Sequence, residues 1–359
     1  MERLGVFYTC NDAYAPFAGV SMVSLLEHNR DMPGLAIYLI GQDISPENRQ
    51  KLEQAAAAYG CPFTLIDAAP VLEKIQEIGV PAWRNAGITN VRLFYEQAFA
   101  GRPLPPRLLY LDCDTLVTGS LEPLATWEMD DCPLAMVCDS LTGYYKAELG
   151  FLMADKYYNG GVMLFDTAAW AAQGCTDYLT RCLREKRSDF ALGDQDITNL
   201  YMKGRIATLP PEYNAQAVHR AYPLPAFFAV YPEDGYYTAA QLALADARPV
   251  ILHTFRFLGD FPWHKDNLHP DTAAFDRYLA LSPWKDYEKK PGSTGTLFRL
   301  EKLLYRILPK AAFLRLFRTV QTRSFQKDQA ARTARLAARE QPGPAEAENP
   351  QAEKQKQNV

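Results

Sequence analysis

Two places in the sequence put aspartates one residue apart, Asp112-Cys113-Asp114 and Asp194-Gln195-Asp196. Such a pair can turn both carboxylates toward one hard divalent cation, and Mg²⁺ and Mn²⁺ share oxygen ligands with phosphates. A cation held that way neutralises a diphosphate leaving group as its bond breaks. The first pair follows the apolar run Leu108–Leu111, and unpaired carboxylates at the end of a buried strand are costly without a cation. The spacing itself is common by chance, so each candidate also has a bland reading. Asn11 and Asp194 can cap helices or turns, and Asp139 can cap the strand Leu134–Cys138. Asn159 can supply a left-handed turn before Gly160-Gly161. Arg92 can pair with a surface carboxylate, and Tyr14 is one of twenty tyrosines. A lone histidine such as His253, after Val250-Ile251-Leu252, is more often a satisfied strand-end residue than a ligand.

These residues need a scaffold that brings distant segments together. The first part of the chain alternates short apolar runs with helical patterns. Strands are predicted at Leu4–Thr9, Ala36–Ile40, Phe63–Ile66 and Leu108–Leu111, and helices at Ala18–Glu27 and Pro46–Tyr59, the latter capped by Ser45. Strands separated by helices predict an α/β fold with a Rossmann-like, mostly parallel central sheet. Ligands bind such sheets beyond the carboxyl ends of the strands. Asn11, the Asp112–Asp114 turn and the Gly193–Asp196 turn all fall there.

Asp112-Cys113-Asp114-Thr115-Leu116 also resembles the nucleophile motif of haloacid-dehalogenase-type phosphatases, in which Asp112 would be phosphorylated. That motif usually opens its fold, whereas here three strands precede it. The later acidic cluster is only half present, in Gly193-Asp194.

The ordered set of motifs is similar to that of a retaining glycosyltransferase of the group holding glycogenin and bacterial lipopolysaccharide galactosyltransferases. Thr9-Cys10-Asn11-Asp12-Ala13-Tyr14-Ala15 resembles its nucleotide-binding segment, and Arg92-Leu93 its arginine segment. Leu109–Val117 and Ser120-Leu121-Glu122-Pro123-Leu124 resemble the metal motif and its continuation. Tyr158-Asn159-Gly160-Gly161-Val162-Met163-Leu164 and Asp194-Gln195-Asp196-Ile197-Thr198-Asn199 resemble two later segments, and His253 with Pro262-Trp263 completes the series. The resemblance covers residues 1–270. It implies a UDP-sugar donor, UDP-glucose or UDP-galactose, and Mn²⁺ or Mg²⁺ held by Asp112, Asp114 and His253. Thr9, Asn11, Tyr14, Arg92 and Cys113 would line the nucleotide. Asp139, Asn159 and Asp194 would bind sugar hydroxyls, with Gln195 beneath the anomeric carbon. The acceptor it implies is a saccharide or glycolipid of surface polysaccharide synthesis. A non-catalytic nucleotide-sugar-binding protein is the alternative from a different class. Two positions depart from the pattern. Asn11 stands where Asp is common, and Gly259-Asp260-Phe261-Pro262-Trp263 lacks the lysine that touches the diphosphate, so that either Arg256 or Lys265 replaces it or the phosphates are held differently.

Beyond the catalytic domain, expected at 1–283, the composition changes. Residues 284–325 read as a breaker-rich linker, Lys289–Gly295, followed by basic amphipathic helices. Leu297–Arg323 carries Arg299, Lys302, Arg306, Lys310, Arg315, Arg318 and Arg323 against the single acid Glu301. Its apolar residues, Leu297, Leu300, Leu304 and Ile307, then Phe313, Leu314 and Phe317 past Pro309, recur at helical spacing. That pattern suits an anionic membrane surface, with a helical pair packed on the catalytic domain as the other reading. Residues 326–359 have the polar makeup of a disordered tail.

Bulk properties set the remaining bounds. The 359 residues, 48% hydrophobic and 22% charged, are those of a globular chain able to bury a large core. A net charge of -4 gives no expectation of nucleic acid binding. Seven scattered cysteines without a CxxC pair predict a reducing compartment. With Leu4-Gly5-Val6-Phe7-Tyr8 so near the first residue, no signal peptide is expected. The expected location is therefore cytoplasmic, peripheral on the inner face of the membrane.

Overall fold

The computed structural model describes residues 3–80, 87–140, 146–185, 192–231 and 235–340. Its centre is a seven-stranded sheet made from β1 (Leu4–Asn11), β2 (Leu35–Gln42), β3 (Phe63–Asp67), β4 (Arg107–Leu111), β6 (Leu134–Cys138), β7 (Tyr158–Asp166) and β8 (Ile206–Thr208). A small second sheet joins β5 (Thr115–Val117), β9 (Ala215–Gln216) and β10 (Ile251–His253). The main order is β3-β2-β1-β4-β7-β6-β8. Neighbours are parallel except at β7, which is antiparallel to both β4 and β6. The apolar runs of β1, β2 and β4 are buried on both faces, as strands covered by helices require.

The long helices are α1 (Ala15–Asn29), α2 (Pro46–Ala57), α3 (Ala69–Ile78), α4 (Cys175–Glu185), α5 (Asp194–Tyr201), α6 (Ala239–Ala247), α7 (Thr272–Leu281), α8 (Thr296–Ile307) and α9 (Lys310–Glu340). α1 has Pro16 in its first turn and is buried from Ala18 to Leu26, so it lies inside the molecule. Ser24 Oγ accepts from Val117 N at 2.8 Å, and Ser21 and Thr115 hydroxyls meet at 3.2 Å, which ties α1 to β5. Ser45 caps α2, accepting from Asn48 N at 3.3 Å.

The topology positions the site. From β1 the chain steps outward to β2 and β3, then returns to the other side of β1 as β4. The crevice at the carboxyl ends of β1 and β4 is thus the point where strand order reverses, the place where such sheets bind ligands. Because β7 runs the other way, its first residues, Tyr158-Asn159-Gly160, reach the same edge.

The described residues divide after Arg318 into two units, a compact one that ends there and a second that begins at Thr319. Within the first, α8 turns Tyr305 against Tyr222, Phe257 and Phe313, while Phe313 and Leu314 of α9 are buried in the core. Its Lys302 is ion-paired with the fully buried Asp260. The segment 289–295 between α7 and α8 is held by the pairing of Lys290-Pro291 with His264-Lys265, and by Ser293 N donating to Asp260 Oδ1 at 2.9 Å. The residues that amphipathic spacing assigns to one face therefore divide. Leu304, Phe313, Leu314 and Phe317 pack on the core, whereas Leu297, Leu300 and Ile307 are 50–69% exposed, with Leu303, also exposed, beside them. A helix apolar on two sides gives a spacing pattern that cannot say which side is inward. α9 continues through residues 326–340, a stretch that polarity alone reads as tail but that is rich in the strong helix formers Ala and Arg. The expected tail at 341–359 lies outside the described residues. Among the described residues no helix is long and apolar enough to cross a membrane.

Candidate active site

Asp112 follows β4 directly, and its N–H donates to Gly161 O of β7 at 2.8 Å. The turn closes when Thr115 Oγ1 donates to Asp112 O at 2.8 Å. β5 then pairs antiparallel with β10, setting His253 opposite Thr115, one residue past Asp114. Thr254 donates to Asp114 O from both its N–H and its hydroxyl, each at 2.8 Å. Two ladders and one turn thus aim three side chains at one point. His253 Nε2 lies 3.3 Å from Asp114 Oδ1 and 3.8 Å from Asp112 Oδ2, and the three donor atoms fall within 4.8 Å of one another. Gly161 makes room for the imidazole, since a Cβ there would sit 2.1 Å from His253 Cε1.

The charges at this point respond to one another. Burial pushes the Asp112 carboxyl up and Asp114 adds to that, while Arg92 opposes it. Burial pulls the His253 imidazolium down, but Asp114 and Asp112 outweigh it and the net shift is upward. Two carboxylates and a buried imidazole nitrogen converging in this way fit a divalent cation, which would take the place of the proton.

Arg92 forms the floor. It is buried in the 3₁₀ stretch Gly87–Phe94, ion-paired with Asp194 and 3.0 Å from Asp112 Oδ1, and it donates to Gly160 O at 2.6 Å. Its guanidinium lies over the Tyr110 ring, 4.8 Å from the centroid, and Tyr110 OH donates to Asp112 Oδ1 at 2.5 Å. The surface-pair reading of Arg92 fails on this burial.

Beside it lies a polar group of a different kind. Gln195 Oε1 accepts from Gly160 N at 2.9 Å, and Gln195 Nε2 donates to Asp139 Oδ2 at 3.2 Å. Asn159 Nδ2 donates to the same oxygen at 2.9 Å. Asn159 is part of β7 and supplies no left-handed turn. Asp196 is fully buried, accepting from Tyr157 OH at 2.5 Å and from Leu192 N at 2.8 Å. The second D-x-D is therefore not a metal pair: Asp194 serves Arg92, and Asp196 holds the loop.

Across the crevice, Thr9 Oγ1 lies 3.4 Å from Tyr110 OH and Cys113 Sγ donates to Thr9 O at 3.6 Å. Asn11 caps the turn after β1, with Oδ1 accepting from Tyr14 N at 3.3 Å, so its capping reading holds. Tyr14 is 43% exposed at the rim, edge-on to Phe17, and Phe17 stacks on Trp263 at 4.0 Å. Pro262-Trp263 is thereby packed on the segment after β1. Phe261, in the position of the missing lysine, stacks on Trp263 at 4.4 Å, with the exposed Arg256 guanidinium 5.8 Å from its ring. All twelve candidate residues lie on or beside the carboxyl-end edge. Sequence reasoning missed Tyr110, Tyr157 and Asn214, whose Oδ1 is 3.0 Å from His253 Nδ1. Tyr110 was findable, because strand period two puts it on the same face as Asp112. A cavity of about 490 Å³ lined by Arg3, Asn29, Tyr59 and Cys61 lies at the amino ends of β1 and β2, away from these residues.

Residues 5–266 match the model of the family described as glycosyl transferase family 8. General stress protein A of Bacillus subtilis (strain 168) is 23% identical over 79% of this chain and 95% of its own length. Lipopolysaccharide 1,2-glucosyltransferase of Escherichia coli (strain K12) is 27% identical over 79% and 80%. The crystal structure of galactosyltransferase LgtC with donor and acceptor sugar analogs superposes with a TM-score of 0.64 at 21% identity, over 82% of this chain and 99% of that one. The chain belongs to glycosyl transferase family 8 and is a glycosyltransferase. The phosphatase reading falls with that membership and with the placement of Asp112 after the fourth strand rather than the first.

Proposed function

We propose that this family 8 member is a metal-dependent, retaining hexosyltransferase that moves glucose or galactose from a UDP-sugar to a saccharide or glycolipid acceptor in surface polysaccharide synthesis. The observation that carries the reading is the convergence of Asp112, Asp114 and His253 within 4.8 Å, beside the Arg92, Asp194, Gln195, Asn159 and Asp139 group. Glucosyl transfer is supported by the lipopolysaccharide glucosyltransferase among its relatives.

Asp112, Asp114 and His253 hold Mn²⁺, or Mg²⁺, in this reading, and the imidazole ligand favours Mn²⁺. The cation supplies charge neutralisation for the departing diphosphate. Thr9, Asn11, Tyr14 and Cys113 line the nucleotide, with the exposed Tyr14 ring as the stacking face for the base. Arg92 orients donor sugar and phosphate, and Asp139, Asn159 and Asp194 bind sugar hydroxyls.

Retention follows from what these groups can and cannot do. The Gln195 carbonyl already accepts from Gly160 N, and an amide is a weak nucleophile. Asp194 is neutralised by Arg92. Neither favours a covalent sugar, so a short-lived ion pair forms on the face the diphosphate leaves. The leaving phosphate takes the acceptor proton as the acceptor oxygen bonds the same face.

The same reading seats the chain peripherally on the inner face of the membrane through residues 297–323. The exposed Leu297, Leu300, Leu303 and Ile307, flanked by Arg299 and Arg306, support it.

The test is UDP release from a panel of sugar nucleotides with Mn²⁺, followed by proton NMR of the first-formed product. Release from UDP-glucose or UDP-galactose with an α-linked product is expected. A β-linked product would refute retention, and donor binding without any UDP release would make the protein a nucleotide-sugar-binding scaffold.

A further inference from the structure

Asn214 is fully buried in the short turn Pro211–Asn214, and its two side-chain atoms face two different site residues. Asn214 Nδ2 donates to Asn159 Oδ1 at 2.9 Å, and Oδ1 lies 3.0 Å from His253 Nδ1. The orientation of the Asn159 amide is settled by a backbone donor whose identity is not in question, and that of Asn214 follows from it. Gly161 N donates to the side chain of Asn159 at 3.0 Å, so the atom facing it is Oδ1. Flipping Asn159 would set Nδ2 against that N–H and Oδ1 against the Asp139 carboxylate, which is unfavourable at both ends. With Asn159 Oδ1 fixed as an acceptor, Asn214 must present its Nδ2 to it and its Oδ1 to His253. An oxygen 3.0 Å from Nδ1 requires a proton there. In the neutral ring Nε2 is then the lone-pair nitrogen, and it is the one aimed at Asp112 and Asp114.

We propose that Asn214 is a positioning residue that fixes the His253 tautomer for metal ligation and couples that ligand to the sugar-binding group. The coupling is a continuous chain of hydrogen bonds: His253 to Asn214, Asn214 to Asn159, Asn159 to Asp139, and Gln195 to the same Asp139 oxygen. Without Asn214 the balance reverses. The carboxylate of Asp114 is the strongest acceptor near the ring, so a neutral imidazole would place its proton on Nε2 and donate to Asp114, opposing the cation. An outer partner of a ligating histidine acts on metal affinity in this way. The inference rests on the reading of Asp112, Asp114 and His253 as metal ligands.

Three variants separate the possibilities: Asn214→Leu removes both bonds, Asn214→Asp keeps an acceptor for His253 but repels Asn159 Oδ1, and His253→Ala removes the ligand. Two readouts are taken on the full chain: Mn²⁺ affinity by electron paramagnetic resonance, and ¹⁵N spectra of histidine-labelled, metal-free protein at pH 9. Wild type should show His253 protonated at Nδ1. Asn214→Leu should shift the proton to Nε2 and weaken Mn²⁺ binding about ten- to a hundredfold. Asn214→Asp should keep Nδ1 protonated and Mn²⁺ affinity within about threefold, while UDP release falls because Asn159 has lost its donor. If Asn214→Leu does not fold, the Asn214→Asp pattern decides, and a proton on Nε2 there overturns the proposal. So does Asn214→Leu binding Mn²⁺ as wild type does while His253→Ala binds it weakly. Unchanged Mn²⁺ affinity in His253→Ala would instead remove the metal-ligand reading beneath it.

Discussion

Arg92 and Asp194 stand 102 positions apart and meet as a buried ion pair beneath Asp112, with side chains only 7% and 4% exposed. Arg92 spends its donors in three directions, on Asp194, Asp112 and Gly160 O. A lysine keeps the charge but cannot reproduce that fork. Arg92→Lys should therefore lower UDP release by about a hundredfold, and Arg92→Met should cost about 3–5 kcal/mol by stranding two carboxylates. Turnover and thermal unfolding measure the two effects. Arg92→Lys at full activity would contradict the role given to the fork.

The metal reading predicts a sharp dependence on a divalent cation. EDTA should abolish UDP release, and Mn²⁺ should restore it better than Mg²⁺. Asp114→Asn removes one carboxylate from a position whose backbone is held independently by Thr254. Its circular dichroism and melting temperature should stay near wild type while activity drops by about two orders of magnitude or more. An Asp114→Asn protein that turns over normally in EDTA would end the metal assignment.

His269 makes stability fall in acid. It is buried, with Nδ1 accepting from Asp271 N at 3.1 Å and Nε2 donating to Phe255 O at 3.1 Å. Burial pushes its pKa down to about 4, against the opposing pull of Asp271, from an ordinary 6.5. Between those values the unfolded chain binds a proton at this ring that the native chain does not, so stability falls as pH drops from 6.5 toward 4. The loss is on the order of 3 kcal/mol across that window. His269→Gln should flatten this part of the curve and cost about 1–3 kcal/mol at pH 7 through the lost acceptor for Asp271 N. Urea titrations at pH 7, 6, 5 and 4.5 make the comparison, and an unchanged slope in the variant would assign the acid sensitivity elsewhere.

How far the sequence carried differs by element. β1, β2, β4 and α2 lay within a few residues of their predicted bounds, because apolar runs and a serine cap are local signals. α1 extends beyond Ala18–Glu27 at both ends, since Pro16 marks a first turn that apolar spacing does not register. The reversed strand β7 could not be inferred, because direction within a sheet is a long-range property. The same limit separates the site residues. Asp112 and Asp114 announce themselves by spacing, and Tyr110 by strand period. Asn214 carries no local mark, and its role exists only where Asn159 and His253 are brought together. Resemblance to a family supplied the proposed ligand set, and the ladder between β5 and β10 is what brings His253 to Asp112 and Asp114.

Lys302 belongs to the fold rather than to a solvated basic face. Asp260 is fully buried beside it, with Oδ1 accepting from Ser293 N at 2.9 Å and lying 3.3 Å from His264 Nδ1. Lys302→Met should strand that carboxylate and cost about 3 kcal/mol, and adding Asp260→Asn should recover a large part. Asp260 sits in the loop that carries Pro262-Trp263 to Phe17, so Lys302→Met should also raise the KM for the UDP-sugar. Melting temperatures and donor saturation curves of the single and double variants check this. A Lys302→Met protein as stable as wild type would show that the pair contributes nothing.

Membrane seating is best tested on the outer face of α8 alone. Ending the chain at Lys290 would strip Phe313, Leu314 and the Lys302 partner of Asp260 from the core, so lost binding by that truncation would not identify a surface. Leu297, Leu300 and Ile307, 69%, 50% and 63% exposed, can be changed to serine without uncovering the interior. Their burial in the headgroup–acyl boundary would act together with Arg299 and Arg306 at an anionic surface. Wild type should therefore co-sediment with phosphatidylglycerol-containing vesicles, far less with phosphatidylcholine alone, and release as salt is raised. The triple serine variant should bind anionic vesicles about tenfold or more weakly while turning over a soluble acceptor at the normal rate. Equal sedimentation of the two proteins would mean that α8 does not meet the bilayer, and that its apolar outer face serves another purpose.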